Sequence, residues 1–204
     1  MSVLSALSVI AATTGSGIYT EAGYDVLLSD RVSLVARGQR IIGEVGYFHG
    51  DFIGSYGLGP YSRYGLGMSW EPLHLAELRV VADETVEQEL TIQFFYPHLV
   101  FTRGIDLFRV GVWGKLRLGP VWSVVEQNDF YNPDTVWGGQ LTSEVAFSYN
   151  VGSVLKIAPR LGVGILIDEV RTSYQVSFGL GIHLQAAFRS VDSGPPADYW
   201  EKDY

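Results

Sequence analysis

The clearest pattern in the chain is an alternation of apolar and polar positions with a period of two. It is most regular from Tyr174 to Phe188, where every second residue is apolar and the residues between are small or polar without formal charge. Such a period is typical of a β-strand with two different faces. At roughly 3.3 Å per residue and about 45° of tilt, a strand of this length would cross the roughly 30 Å apolar layer of a membrane.

The same alternation recurs between turns rich in Gly, Pro, Asn and Asp, and it gives nine clear strands. The nine predicted strands are 18–29, 32–48, 61–70, 74–82, 86–96, 107–125, 137–149, 153–168 and 174–188. Residues 2–12 admit two interpretations, either the apolar core of a signal peptide without its usual basic start, or a tenth strand. If they are a signal peptide, two of the weaker segments must merge to leave eight strands.

An up-and-down barrel whose termini lie on one side needs an even number of strands. The pattern therefore predicts an all-β fold, an antiparallel up-and-down transmembrane β-barrel of 8–10 strands over residues 1–188, and we favour ten.

Composition favours a barrel in a membrane over a soluble one. Only 18% of the residues are charged, against roughly 25% in a typical soluble domain. The mean hydropathy is +0.15, yet no apolar run is long enough for a transmembrane helix. The polar face of the last predicted strand carries Gly, Ser and Gln, where a water-facing surface would be rich in Lys, Glu and Asp. A soluble lipid-binding β-barrel is the alternative.

Net charge and cysteine content exclude other classes. The formal net charge of −8 argues against nucleic-acid binding, which requires a basic surface. The chain has no cysteine, so disulfides and Cys-ligated metal sites are excluded.

The stretch from Tyr174 to Phe188 resembles the C-terminal strand of bacterial outer-membrane β-barrel proteins, which ends in Phe and acts as their insertion signal. As a pattern the resemblance covers nearly the whole chain, and it identifies an architecture rather than one family. It implies a porin-like barrel in the bacterial outer membrane, in contact with the lipid bilayer. Members usually end at that Phe, whereas residues 189–204 follow it here.

Charges of both signs lie on the polar face of the predicted strands, and seven residues form the candidate site. They are Arg109, Lys115, Arg117, Glu144, Lys156, Arg160 and His183. A lumen of 8–10 strands is wide enough only for side chains or one small ligand. We therefore interpret this polar cluster as paired charges that fill the lumen, in preference to an anion-selective constriction or a ligand site.

The sequence contains no catalytic motif, phosphate-binding loop or metal-spaced cluster, so we predict no catalytic residue, no metal and no cofactor. His74 and His98 fall at the ends of predicted strands and are interpreted as interfacial polar residues. The function that follows is structural, anchoring or partner-binding. The alternative is a lipid-modifying enzyme of the lipid A deacylase or acyltransferase type, which would need a His beside a Ser or carboxylate at the outer rim. His49 lies near Asp51, but a loop His near an Asp is commonplace, and the pattern does not place His49 at that rim.

The C-terminal segment 189–204 is predicted to be a periplasmic tail. Gly194-Pro195-Pro196 ends any strand, because proline lacks the N–H that a sheet requires. The acidic segment after it contains three aromatic residues, Tyr199, Trp200 and Tyr204, and Tyr and Trp are enriched in protein interfaces. We predict that these aromatics dock onto a protein partner or a second copy, with a disordered terminus as the alternative.

Overall fold

A computed structural model describes residues 13–29, 36–52, 58–81, 84–107, 109–126, 135–151, 154–168 and 172–188. Eight strands form a closed barrel in which each strand pairs antiparallel with the next and the last closes on the first. They are β1 (Thr13–Ser29), β2 (Ala36–Phe52), β3 (Leu58–Val81), β4 (Glu84–Leu107), β5 (Val110–Glu126), β6 (Thr135–Val151), β7 (Leu155–Asp168) and β8 (Thr172–Phe188). The described residues include no helix that is long and apolar enough to cross a membrane.

The antiparallel up-and-down barrel is confirmed, but the preference for ten strands is wrong. The predicted strands 61–70 and 74–82 are one strand, because β3 continues through Pro72, which pairs with Gln93 of β4. Pairing between β2 and β3 ends at Ile41 and Trp70, so the missing N–H of Pro72 interrupts no ladder on that side. This merger reduces the nine clear strands to eight. Residues 2–12 lie outside the described residues.

The register fixes the shape of the barrel. When the pairing is followed from Ile18 through all eight strands, it returns to β1 at Leu28, ten residues further along. A shear of this size tilts the strands by roughly 40°, so each residue advances about 2.5 Å along the barrel axis. At this strand number the interior is just wide enough to be filled by side chains.

The side chains are arranged inside out relative to a soluble protein. Large apolar residues cover the outer wall, with exposed fractions as high as 62% at Leu66 and 64% at Phe147. Among the described side chains, the interior contains six buried acidic and six buried basic residues. They are Glu21, Asp25, Glu44, Glu71, Asp106 and Glu144, with Arg40, Arg63, Lys115, Arg117, Lys156 and Arg160. An apolar wall of this extent fits lipid and not water, so the soluble alternative is wrong.

Aromatic side chains form two belts on the outer wall. The distal belt contains Trp70, Phe95, Trp122, Trp137 and Tyr174. The terminal belt contains Tyr47, Tyr64, Phe101, Phe147 and Tyr149. On β6, Trp137 and Tyr149 lie 12 positions apart, a separation of about 30 Å along the axis, which matches the apolar thickness of a bilayer.

The two ends of the barrel differ. The terminal end, where β1 begins and β8 finishes, also has the short connections 53–57, 108–109 and 152–154. The distal end has the longest connection, 127–134. There, β3 and β4 stay paired as far as Val81 and Glu84, whereas pairing of β4 with β5 extends no further than Thr91. A two-stranded ribbon therefore extends beyond the barrel at the distal end.

Candidate functional site

A network of ion pairs fills the middle of the lumen. Its members come from five of the eight strands, and their side chains are at most 1% exposed. This central network consists of Glu21 and Asp25 on β1, Arg40 and Glu44 on β2, Lys115 and Arg117 on β5, Glu144 on β6 and Arg160 on β7. All eight occupy the inward phase of their strands, so the strand alternation delivers them to the same space. Four carboxylates thus face four cations.

Two neighbouring cations of β5 connect opposite sides of the barrel. Arg117 donates from Nε to Oε1 of Glu44 at 2.5 Å and from Nη1 to Oε2 of Glu144 at 2.6 Å. Lys115 donates from Nζ to Oε2 of Glu44 at 2.7 Å and also to Glu21. Glu44 is therefore held by two cations, and β2 is tied to β5 across the lumen.

A second group of ion pairs joins β1 to β2 and β7. Arg160 donates from Nη1 to Oε1 of Glu21 at 2.6 Å and from Nε to Oδ1 of Asp25 at 2.7 Å. Arg40 donates from Nη2 to Oδ2 of Asp25 at 2.8 Å. Each carboxylate of the central network consequently lies within 4.0 Å of at least two cations. This pairing offsets part of the large desolvation cost of buried charge.

An aromatic layer, which includes Tyr19 and Tyr61, lies in the lumen toward the terminal end. The guanidinium carbon of Arg63 lies 4.7 Å from the ring centroid of Tyr61 and 5.3 Å from that of Tyr19, which is cation–π geometry. Lys156 forms an ion pair with Asp106, and its Nζ lies 4.9 Å from the Tyr61 ring. These contacts lie between the central network and the terminal end.

An apolar cluster closes the lumen toward the distal end. It consists of Phe94, Tyr96, Val121 and Leu166, all buried. The Tyr96 hydroxyl donates to Oε2 of Glu71 at 2.6 Å, so this inward hydroxyl is satisfied. The central network therefore lies between two layers of packed side chains.

The structure brings together six of the seven residues predicted as the site. Lys115, Arg117, Glu144 and Arg160 belong to the central network, and Lys156 lies beside the aromatic layer. His183 is buried, with Nδ1 at 3.1 Å from Oε2 of Glu21 and its ring 5.3 Å from that of Trp113.

Arg109 does not belong to this group. It is exposed in the turn before β5, and its carbonyl oxygen accepts a hydrogen bond from the Asn150 amide at 2.7 Å. The prediction extended the inward phase of β5 to a residue that precedes the strand, and the alternation of faces holds only within a strand.

The predicted site also omitted interior charges. Glu21, Asp25, Arg40 and Glu44 complete the network, and their inward phase within predicted strands was the available signal. The interpretation of His98 as interfacial is wrong, because β4 continues past it to Leu107. Its ring is buried, with Nδ1 at 2.8 Å from the Tyr96 carbonyl oxygen and Nε2 at 3.5 Å from Oε1 of Glu44.

Across the described ranges, no group of three or more His, Asp or Glu side chains is arranged to hold a metal ion. The His74 side chain lies outside what the structure describes.

Comparisons with known proteins identify a fold and no family. No family model and no curated protein matches the chain. The crystal structure of Neisserial surface protein A matches with 11% identity and a TM-score of 0.61, covering 83% of this chain and 98% of that one. The structure of Ail from Yersinia pestis with the heparin analogue sucrose octasulfate matches with 12% identity, a TM-score of 0.46, and coverage of 85% and 99%. The N-terminal β-barrel domain of Pseudomonas aeruginosa OprF matches with 12% identity, a TM-score of 0.41, and coverage of 85% and 99%.

The chain therefore has the fold of the small bacterial outer-membrane β-barrel proteins. At this level of identity the similarity concerns the fold alone.

Proposed function

We propose that the protein is an integral barrel of the bacterial outer membrane with a structural, anchoring or partner-binding role, and that its lumen does not conduct. The observation that carries this proposal is the central network, enclosed between the aromatic layer and the apolar cluster. A conducting pore needs a continuous water-filled path, and an interior of this width is filled by its own side chains. Among the described interior side chains, six acids balance six bases, so these residues supply no excess charge to select an ion.

The ends of the barrel support an orientation. Barrels of this type have short turns on the periplasmic side and longer loops outside the cell. No connection at the terminal end is longer than 53–57, whereas the distal end has the ribbon of β3 and β4 and the longest connection, 127–134. We therefore place the terminal end in the periplasm and the distal end outside.

The lipid-modifying alternative gains no support from the geometry. Such an enzyme needs an accessible His near the distal rim with a Ser or carboxylate beside it. Among the described side chains, His98 and His183 are buried in the lumen, and exposed His49 lies on the terminal half of β2. Neither these three histidines nor any other side chain of the described set therefore supports lipid chemistry at the distal rim; the backbone of His74 lies in β3 at that end, but its side chain is outside the description.

The first prediction tests the closed lumen. The full chain, reconstituted in planar lipid bilayers, is expected to show no large, stable open-channel conductance, because ion pairs and packed rings occupy the cross-section of the barrel. Preparation buffer without protein and a conducting porin serve as the two controls. Sustained conductance steps that depend on the protein would contradict the proposal.

The second prediction concerns residues 189–204, for which we propose a docking role. β8 runs to Phe188 at the terminal end, the end that we propose to lie in the periplasm, and this supports a periplasmic tail. Deletion of 189–204 is expected to leave a folded, heat-modifiable barrel that has lost a co-purifying partner or an oligomer. Replacement of Tyr199, Trp200 and Tyr204 by Ser at full length should cause the same loss, because the aromatics supply the contact area. If both variants keep the assembly state of the full chain in size-exclusion chromatography with light scattering, the docking role is wrong.

A further inference from the structure

The outer wall contains one charge that its apolar surroundings do not explain. Arg103 is the only charged residue among the described side chains that face outward between the distal belt and the terminal ends of β4 and β5. It lies two positions beyond Phe101 of the terminal belt. Toward the terminal end it is followed by Ile105 and Leu107, which are 40% and 54% exposed. A lipid-facing charge costs free energy unless it reaches the interface or finds a partner.

One hydrogen bond orients the guanidinium of Arg103, and this bond engages only one of its N–H donors. Its Nη1 donates to Oγ of Ser62, the residue opposite it on β3, at 3.0 Å. A guanidinium has five N–H donors, and within the described side chains no carboxylate lies at ion-pair distance from Arg103. Ser62 also pairs, on the other side of β3, with the exposed His49 of β2. The row His49, Ser62 and Arg103 thus places three potential donors side by side on adjacent strands.

We propose that His49, Ser62 and Arg103 bind the phosphate of a phospholipid in the leaflet at the terminal end. The planar fork of Arg matches two phosphate oxygens, and the Ser hydroxyl and imidazole N–H can serve the others.

A lipid is favoured over a soluble anion because exposed apolar side chains flank Arg103 on both sides along β4, Phe101 toward the middle of the membrane and Ile105 toward the terminal end. Toward the middle of the membrane, the rings of Tyr64 and Phe101 stand with centroids 5.3 Å apart and offer a surface for the glycerol and upper acyl chain of the same molecule.

The test uses the full chain in lipid nanodiscs, because the site rests on the membrane placement proposed above. Spin-labelled phosphatidylglycerol and spin-labelled diacylglycerol with the same chains are compared by the fraction of each that the protein immobilises. The wild type is expected to prefer phosphatidylglycerol, and Arg103→Gln is expected to lower that preference about tenfold, the typical size of a lost hydrogen bond between charged groups. Arg109→Gln removes an exposed cation at the same end and should leave the preference unchanged.

Additional variants and a soluble competitor distinguish the possible results of this experiment. The site is supported if Arg103→Gln loses the preference for phosphatidylglycerol while Arg109→Gln keeps it. Partial loss of this preference in Arg103→Lys also supports the site, because Lys keeps the charge but lacks the planar guanidinium. An unchanged preference in Arg103→Gln overturns it, and so does displacement of the lipid by millimolar glycerol phosphate. Arg103-dependent cross-linking between copies overturns it in favour of a protein carboxylate as the partner. Failure of the wild type to insert would instead contradict the membrane placement itself.

Discussion

Replacement of Arg117 by Met is expected to destabilise the barrel by about 3–5 kcal/mol, the usual cost of removing one partner from a buried charge network. Met fills much of the same volume, so the loss is mainly electrostatic. Arg117 holds Glu44 at 2.5 Å and Glu144 at 2.6 Å. Without it, the nearest cation to Glu144 in the network is Arg160 at 3.9 Å. The measurement is denaturant unfolding of the barrel in lipid vesicles, followed by tryptophan fluorescence and by the heat-modifiable shift in electrophoresis.

Two controls separate the charge effect from the loss of an arginine as such. Arg109→Met removes an exposed cation in a turn and should change stability by less than about 0.5 kcal/mol. Combining Arg117→Met with Glu144→Gln should recover part of the loss, because the carboxylate left without its closest partner is then neutral. The double-mutant cycle measures that coupling. Equal stability of the Arg117→Met and Arg109→Met variants would show that the central network contributes little to the fold.

The strand faces could be predicted because the two environments of this barrel are chemically opposite. An apolar wall and a charged interior give every strand a strict alternation, so the predicted strand 137–149 lies within β6, which the structure extends only to Thr135–Val151. The strand count failed where turn chemistry and strand pattern conflict. Pro72 indicates a turn in the sequence, but β3 has lost its β2 neighbour at that level and tolerates the residue.

The pattern predicted which residues enter the lumen and could not predict which of them meet. Asp25 and Arg160 are hydrogen-bonded at 2.7 Å although 135 positions separate them in the chain. Their meeting depends on the closure of β8 onto β1 and on the ten-residue shear of the barrel. Neither property is visible in the alternation of any single strand.

Replacement of Gly46 by Ala is expected to cost about 1–3 kcal/mol, because the added methyl overfills a contact made of backbone. A Cβ at Gly46 would lie 2.1 Å from the carbonyl oxygen of Tyr64, 2.6 Å from Cα of Gly65 and 2.8 Å from Cε1 of Tyr19. The first two atoms belong to the paired strand β3 and cannot rotate away, so the strands must separate locally.

The matched control for this substitution lies three positions earlier on the same strand. Gly43 faces the lipid, and a Cβ there meets nothing within 4 Å. Gly43→Ala should therefore stay within about 0.5 kcal/mol of the wild type. The same unfolding assay in vesicles compares the two variants. If both lose the same stability, the cost arises from glycine replacement in β2 generally. If only Gly46→Ala loses stability, the close approach of β2 to β3 beneath the Tyr19 ring requires a residue without a side chain.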